Sequence, residues 1–489
     1  MPGIHLSQNS GCSVLLGHAT MLGISQLPAR RCQLYLIDNP LYDRYRLVLL
    51  SSSTRLVFAE RVSHRLCLPR LSIPRWTRAA EQVQQAIDCN WGIKGMVLDF
   101  LGDEPGDEGV VLVELMNGVR ERALPTPQSW ANLCDIHPEE LTSFERGLVE
   151  TLFEDGQTGR GPFSRFGWIE EAQTWIGNEL GINRQLDSAE ILQLNAGAKH
   201  ALVRFGRTAE PPLWLKAVAD PSDREFVITK SLAPLAPEYL PQIVASREDW
   251  KAWCMKDAGR PLQESFGIDS CSRAVHRLAE LQIVSIDQVG SLLATGCRDL
   301  RYTVLRDRIP QMMELAQEAM GYQSSGFAPR FGASRFGRLS TRLEYACVEL
   351  ADLNIPDTLI HGDISLDNIL VAGQGCVFTD WAQASIGNPF VTFERLCSQI
   401  AQDPRAQSWL SRLVDMYRAG WRSILSEDQI NRALDLAQTI AAAIDLLTQC
   451  ERLRQNRSHE FQIHSGLRAM TRRLDRAIDA LELNQSRCA

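Results

Sequence analysis

Residues 359–389 read L-I-H-G-D-I-S-L-D-N-I-L-V-A-G-Q-G-C-V-F-T-D-W-A-Q-A-S-I-G-N-P. Three of them, Asp363, Asn368 and Asp380, offer side-chain oxygens of the kind that bind hard cations. Two short apolar runs, 369–372 and 376–379, flank a Gly373-Gln374-Gly375 turn, which is the pattern of a β-hairpin. Such a hairpin sets Asn368 and Asp380 at neighbouring ends. Mg²⁺ takes oxygens of this type together with substrate phosphates, so the stretch implies phosphate chemistry around a metal.

Working upstream, residues 191–194 and 201–205 alternate like strands around a small-residue turn, 195–200. A further strand, 212–218, sets Lys216 between apolar neighbours, and Asp220-Pro221-Ser222-Asp223 starts a helix over 224–233 with Glu225 in its first turn. Strands are expected at 242–245 and 250–255. Helical periodicity then runs from about 270 to 352 and, after the opening stretch, from 391 to about 483. No internal repeat and no low-complexity segment is found.

With these strands, Lys216, Glu225, Gly259-Arg260-Pro261-Leu262 and the opening stretch in one order, residues from about 185 to 489 resemble the aminoglycoside phosphotransferase and choline kinase-like family. That family is a small-molecule branch of the protein-kinase-like fold. Its signature H-G-D-x-x-x-x-N stands here as His361-Gly362-Asp363 through Asn368, and its D-W and G-x-P elements as Asp380-Trp381 and Gly387-Asn388-Pro389. The resemblance implies an α+β fold: a bilobal protein-kinase-like domain with a small β-rich N-lobe at 186–258 and a mostly helical C-lobe at 259–489. It also implies ATP and Mg²⁺ as cofactors. Asp363 would be catalytic, orienting an acceptor hydroxyl and taking its proton. Asn368, at the same spacing as in the kinase catalytic loop, and Asp380 would hold metal, and His361 would support the loop. Lys216 would contact the nucleotide phosphates and be oriented by Glu225. The adenine would bind along 253–256, at Cys254 and Met255, and the turn Gly197-Ala198-Lys199 would cover phosphates with backbone N–H groups.

By themselves these residues admit other readings. A lysine between apolar neighbours also snorkels from a strand edge, Gly197 suits any hairpin, and Glu225 suits a helix N-terminus. Two positions depart from the family pattern. The acidic residue common after the G-x-P turn is replaced by Val391-Thr392-Phe393-Glu394, so either Thr392 or Glu394 does that structural work or it is lost, and the helix that often ends L-A-x-L-H reads Leu278-Ala279-Glu280-Leu281-Gln282. Glu394 and Asp445 are acids that could meet a cationic acceptor or simply face solvent.

Residues 31–125 read as a separate α/β unit, with strands at 32–37, 45–50, 55–58 and 109–115 and one amphipathic helix over 77–90 that carries Ala80, Val83, Ala86 and Ile87 on one face. A strand-rich unit whose helix closes on Gly92-Ile93 resembles the Nudix hydrolase fold. The three glutamates of the Nudix box are replaced by Ala86, Cys89 and Asn90, so a recognition or packing role is expected of domain 1–125. Residues 126–185 form a helical linker, with a helix over 138–152, a Gly-rich loop over 156–166 anchored by Phe163, Phe166 and Trp168, and a helix over 170–180.

At 489 residues the chain is long enough for two or three domains. A net charge of -8 gives no electrostatic reason to expect nucleic acid. The 13 cysteines form no C-x-x-C pair and read as reduced thiols. There is no apolar run of about 18 residues and no basic, apolar leader at the N-terminus, so no membrane partner and a cytoplasmic location are expected. Taken together, the residues imply ATP- and Mg²⁺-dependent transfer of a phosphoryl group to a hydroxyl of a small molecule. The alternative is a pseudokinase, or regulatory nucleotide-binding scaffold.

Overall fold

The computed structural model describes residues 42–74, 78–102, 108–116, 128–181, 191–206, 212–220, 222–323, 329–373, 375–455 and 460–488. The strand expected at 32–37 lies outside them. The chain divides into two compact units, residues 1–223 with 243–257, and residues 224–242 with 258–489.

In the first unit, β1 (Tyr42–Ser51), β2 (Leu56–Val62), β3 (Arg65–Cys67), β4 (Arg70–Pro74), β5 (Gly95–Leu101), β6 (Gly109–Leu115) and β7 (Gln128–Ala131) form one sheet. Its axis is the parallel pair β1 and β6. These two strands are near-continuous apolar runs because both faces of the sheet are covered. Leu47, Leu49, Val111 and Val113 point to the face packed by α1 (Ala79–Trp91), where Ala80, Val83 and Ile87 meet them. Val48, Leu50, Val110 and Leu112 point to the other face. Helix α1 closes on Gly92 in the left-handed conformation, φ 64°, as its sequence suggests.

The opposite face packs against α2 (Ser143–Asp155), α3 (Trp168–Glu179) and a second, antiparallel sheet. That sheet holds β8 (Ile191–Gly197), β9 (His200–Phe205), β10 (Leu213–Ala217), β11 (Ile243–Arg247) and β12 (Ala252–Lys256) in the order β11-β12-β10-β9-β8. One side chain stitches the two sheets. Gln193, fully buried at a bulge in β8, accepts from the Val97 N–H at 2.8 Å and donates to the Val97 carbonyl at 2.8 Å. It satisfies β5 backbone groups as a neighbouring strand would.

Two local expectations change. The helix expected from Pro138 starts at Ser143, because Thr142 and Glu145 form a capping box there and Pro138–Glu140 is a separate 3-10 turn. The turn expected over 195–200 shrinks to Ala198-Lys199, since Asn195 to Gly197 pair with β9.

The second unit is mostly helical. It contains α4 (Arg224–Leu235), β13 (Arg260–Pro261), α5 (Ile268–Ser285), α6 (Val289–Ala294), β14 (Arg298–Asp299), α7 (Tyr302–Gly321) and α8 (Ala333–Asp352). There follow β15 (Thr358–Ile360), β16 (Ile369–Ala372), β17 (Gly375–Phe378), β18 (Ser385–Gly387), α9 (Phe390–Ile400), α10 (Leu410–Trp421), α11 (Glu427–Gln455) and α12 (Glu460–Cys488). One core surrounds α5 and takes in Phe378, Trp381, Phe390, Tyr417 and Trp421. A second joins α7, α8, α11 and α12. A sheet-rich part followed by a mostly helical part is the α+β class that the sequence implies. The ten cysteines whose side chains are described are free thiols.

Glu114 on β6 gives a pH test of the first unit. Burial pushes its carboxyl up to about 7, against an ordinary 4.5, although its Oε2 accepts from the Gly167 N–H at 2.9 Å. The unfolded chain releases this proton near pH 4.5 and the folded chain only near 7, so stability falls as pH rises through that window. Glu114→Gln should therefore melt higher than the parent at pH 8 and about equally at pH 4, as read by thermal unfolding at both pH values.

Candidate functional site

The site is built on the β16–β17 hairpin, whose register pairs Ile369 with Phe378 and Ala372 with Gly375. One step beyond the last pair, the Thr379 N–H donates to the Asn368 carbonyl at 2.9 Å. Asn368 and Asp380 therefore stand at neighbouring ends of the hairpin, as its sequence suggests. Asn368 is buried, and its Nδ2 donates to the Asp363 backbone carbonyl at 2.8 Å. This bond closes the loop from Asp363 and leaves the amide oxygen as the group available to a ligand. Asp380 adopts φ 67°, a left-handed conformation that a non-glycine residue holds only when its surroundings enforce it.

Two glycine-dependent contacts keep this loop compact. A Cβ on Gly362 would lie 2.0 Å from the Gln383 carbonyl oxygen, so no other residue fits there. A Cβ on Gly259, φ 111°, would lie 2.3 Å from the Val371 carbonyl oxygen, where β13 lies along β16.

His361 is buried and touches the Thr379 carbonyl through Nε2 at 2.7 Å. With a carbonyl as partner, Nε2 carries the proton. Its ring lies 4.5 Å from that of Trp381, and burial holds its pKa below the ordinary histidine value, so the imidazole is neutral. A neutral, singly bonded ring suits loop support.

The structure adds residues that sequence reasoning missed. Arg395 on α9 donates from Nη1 to the Gly362 carbonyl at 3.1 Å and pairs through Nη2 with Asp445 on α11. Asp445 also accepts from Arg473 on α12 at 2.7 Å. Asp445, read in the sequence as an acid that could meet a cationic acceptor, is thus held between two guanidiniums. Nothing local marks Arg395, which lies 33 positions beyond the glycine it holds.

Both departures from the family pattern have structural answers. Gln282 is fully buried, donates to the Pro389 carbonyl at 2.8 Å and accepts from the Tyr417 hydroxyl at 2.6 Å. Thr392 is buried in the helix core, and Glu394, its pKa raised by burial, accepts from the Ser398 hydroxyl at 3.0 Å. The bond from α9 to the signature loop is made instead by their neighbour Arg395.

The remaining predicted residues belong to two units. Glu225 is buried in the first turn of α4, in the second unit. In the first unit, Lys216 sits mid-strand on β10, opposite Leu202 and Trp253, with Nζ 5.8 Å from the Trp253 ring centroid. Cys254 and Met255 lie in β12, which is paired along both edges, and burial pushes the Cys254 thiol up to about 12. Gly197 ends β8 opposite His200, and Lys199 is exposed at the turn. The Ala198 N–H donates to Asp99 Oδ1 at 3.1 Å.

Among the described residues no group of three or more His, Cys, Asp or Glu could hold a metal. Asn368 and Asp380 supply two hard oxygen donors, which fits a Mg²⁺ whose other ligands are phosphates and water and does not fit a thiolate- or imidazole-bound metal.

Two outcomes follow from this geometry. Arg395→Gln removes a donor from the Gly362 carbonyl and one partner from Asp445, and denaturant unfolding should show a loss of about 1–3 kcal/mol. His361 binds its proton less readily folded than unfolded, so stability drops as pH falls below about 6.5, the ordinary histidine value. His361→Gln should flatten that acid-side slope in melting temperatures taken between pH 7.5 and 5.5.

Residues 273–426 match the model of a family described as the phosphotransferase enzyme family. No curated protein matches the chain. Among solved structures, it is similar to a macrolide 2'-phosphotransferase from Brachybacterium faecium at 15% identity, with 61% of this chain and 98% of that one covered and a TM-score of 0.43. It is also similar to a choline/ethanolamine kinase family protein from Mesorhizobium loti, at 13% identity, 64% and 99% coverage and a TM-score of 0.41. For a choline kinase from Cryptosporidium parvum the values are 12%, 64% and 97%, and 0.44. Residues 1–125 lie outside the matched family segment, so their likeness to Nudix hydrolases rests on sequence alone. The signature loop and the β16–β17 hairpin both fall inside the segment that matches the phosphotransferase enzyme family model.

Proposed function

We propose that the protein is an ATP- and Mg²⁺-dependent phosphotransferase whose acceptor is a hydroxyl group of a small molecule. The observation that carries this reading is the loop closed by Asn368 on the Asp363 carbonyl, with Asp380 held one residue beyond the hairpin pairing. Phosphoryl transfer asks for positioning and charge neutralisation more than for covalent steps. In this reading Asp363 orients the acceptor hydroxyl and receives its proton. Asn368, through its amide oxygen, and Asp380 hold the metal, which when bound neutralises charge on the phosphates. Lys216 binds nucleotide phosphates, with Glu225 as its orienting acid, and the adenine lies along the end of β12 at Cys254 and Met255. A cytoplasmic location supplies the nucleotide. Domain 1–125 serves recognition or packing, with 126–185 as its linker to the lobes at 186–258 and 259–489.

The test is a thermal-shift titration with ATP and GTP, each with and without Mg²⁺, followed by nucleotide consumption against a panel of hydroxyl compounds. A Mg²⁺-dependent shift with ATP is expected. Asp363→Ala should cut turnover by about 10²–10⁴-fold while leaving nucleotide binding in place, and Asp380→Ala should abolish the Mg²⁺ dependence of binding. No shift with any Mg²⁺-nucleotide sinks the proposal. A shift with no Asp363-dependent turnover across the panel would favour the regulatory scaffold instead.

A further inference from the structure

Asp99 on β5 is a buried carboxylate with four donors around it, one of them the Ala198 N–H of the turn expected to cover the phosphates. Its Oδ1 accepts from the Phe100 N–H at 2.9 Å and from the Ala198 N–H at 3.1 Å. Its Oδ2 accepts from Arg160 Nε at 2.6 Å and faces the Ser164 hydroxyl at 3.4 Å. Asp99 is 3% exposed, and a buried carboxylate is stable only when its oxygens are bonded and its charge paired.

These partners converge on one place, the Ala198-Lys199 turn between β8 and β9. The loop over 156–166 grips the turn from a second side, where the Phe163 N–H donates to the Ala198 carbonyl at 3.1 Å. A Cβ on Gly161 would lie 2.1 Å from that carbonyl oxygen and 2.8 Å from Lys199 Cγ, so the grip has no slack. Phe163 fixes the loop in turn, packed edge-on against Trp168 and Trp250 with ring centroids 5.1 and 5.3 Å away. Both backbone groups of Ala198 are therefore engaged by protein, and the exposed residue left on the turn is Lys199.

We infer that Asp99 is a positioning residue for the nucleotide: it fixes the β8–β9 turn so that Lys199, rather than the Ala198 amide, meets the phosphates, and nucleotide affinity depends on the first sheet. This rests on the proposed phosphotransferase reading and on the turn's place in it. It also gives the N-terminal sheet a task that needs no chemistry of its own.

The experiment uses the full chain and measures the Mg·ATP Kd by calorimetry, steady-state KM and kcat, and the melting temperature. Three variants are compared. Arg160→Met removes the charge partner of Asp99 at a part-exposed position, Gly161→Ala pushes the turn without changing charge, and Lys199→Met alters only an exposed side chain. Each should raise Kd and KM for ATP about tenfold, the scale of one lost charge-assisted contact, with kcat within about twofold. Arg160→Lys should recover most of the affinity lost in Arg160→Met. If Kd and KM stay at parent values in all three variants, whether or not the melting temperature falls, the positioning role is overturned while the phosphotransferase reading stands. If the parent chain binds no nucleotide, both fall together.

Discussion

A single backbone hydrogen bond, from the Thr379 N–H to the Asn368 carbonyl, decides where the candidate chemistry can occur. It extends the β16–β17 ladder by one step and so sets the two metal-ligand candidates side by side at the open end of a hairpin. Everything near it is arranged to keep that end from drifting. The neutral ring of His361 rests on the Thr379 carbonyl, the Asn368 amide is turned by the Asp363 carbonyl, and the absence of a side chain at Gly362 lets the Gln383 carbonyl approach. None of these bonds involves a charged side chain of the proposed reaction. Neutral hydrogen bonds do this part of the holding.

The sequence made this part of the molecule legible because its information is local. The hairpin runs, its turn and the Asp363 to Asn368 spacing all lie within 31 residues, and short-range periodicity reads such patterns directly. The strands β1 and β6 and the helix α1 were equally plain, since an apolar run and a three-to-four spacing each point to one element. What stayed hidden was set by distant partners. Strand β5 went unread although Gly95 to Leu101 is mostly apolar and pairs with the nearby β6, because the Asp99 that interrupts the apolar run is bonded to Ala198 about a hundred positions away. Arg395 looked like any helix-surface arginine until its carbonyl partner came into view, and Asp445 looked like an open acid until both its guanidiniums did. The helix expected over 138–152 starts later, at Ser143, for a different reason. A proline at a plausible start outweighed the Thr142-Glu145 box a few residues on, where two reciprocal bonds fix the true beginning.

The first unit shows how an α/β sheet without evident catalytic residues can still matter to its neighbour. Its two sheets share one buried core that runs from Val48 and Leu112 through Trp168 to Val203 and Cys254, and Gln193 bonds to β5 as a missing strand would. Close-packed interiors transmit displacement, because a shift in one layer has no free volume to disappear into. A change in the first sheet is therefore felt at the β8–β9 turn, which is bonded to that sheet directly through Asp99.

The tie from Gly362 through Arg395 and Asp445 to Arg473 reaches α12. During synthesis the signature loop is made more than a hundred residues before Arg473, so until then Asp445 has only one of its two cationic partners. The loop's frame is thus completed only once Arg473 is in place. A product cut short before Arg473 would carry every residue of the signature and still lack part of the frame that holds it.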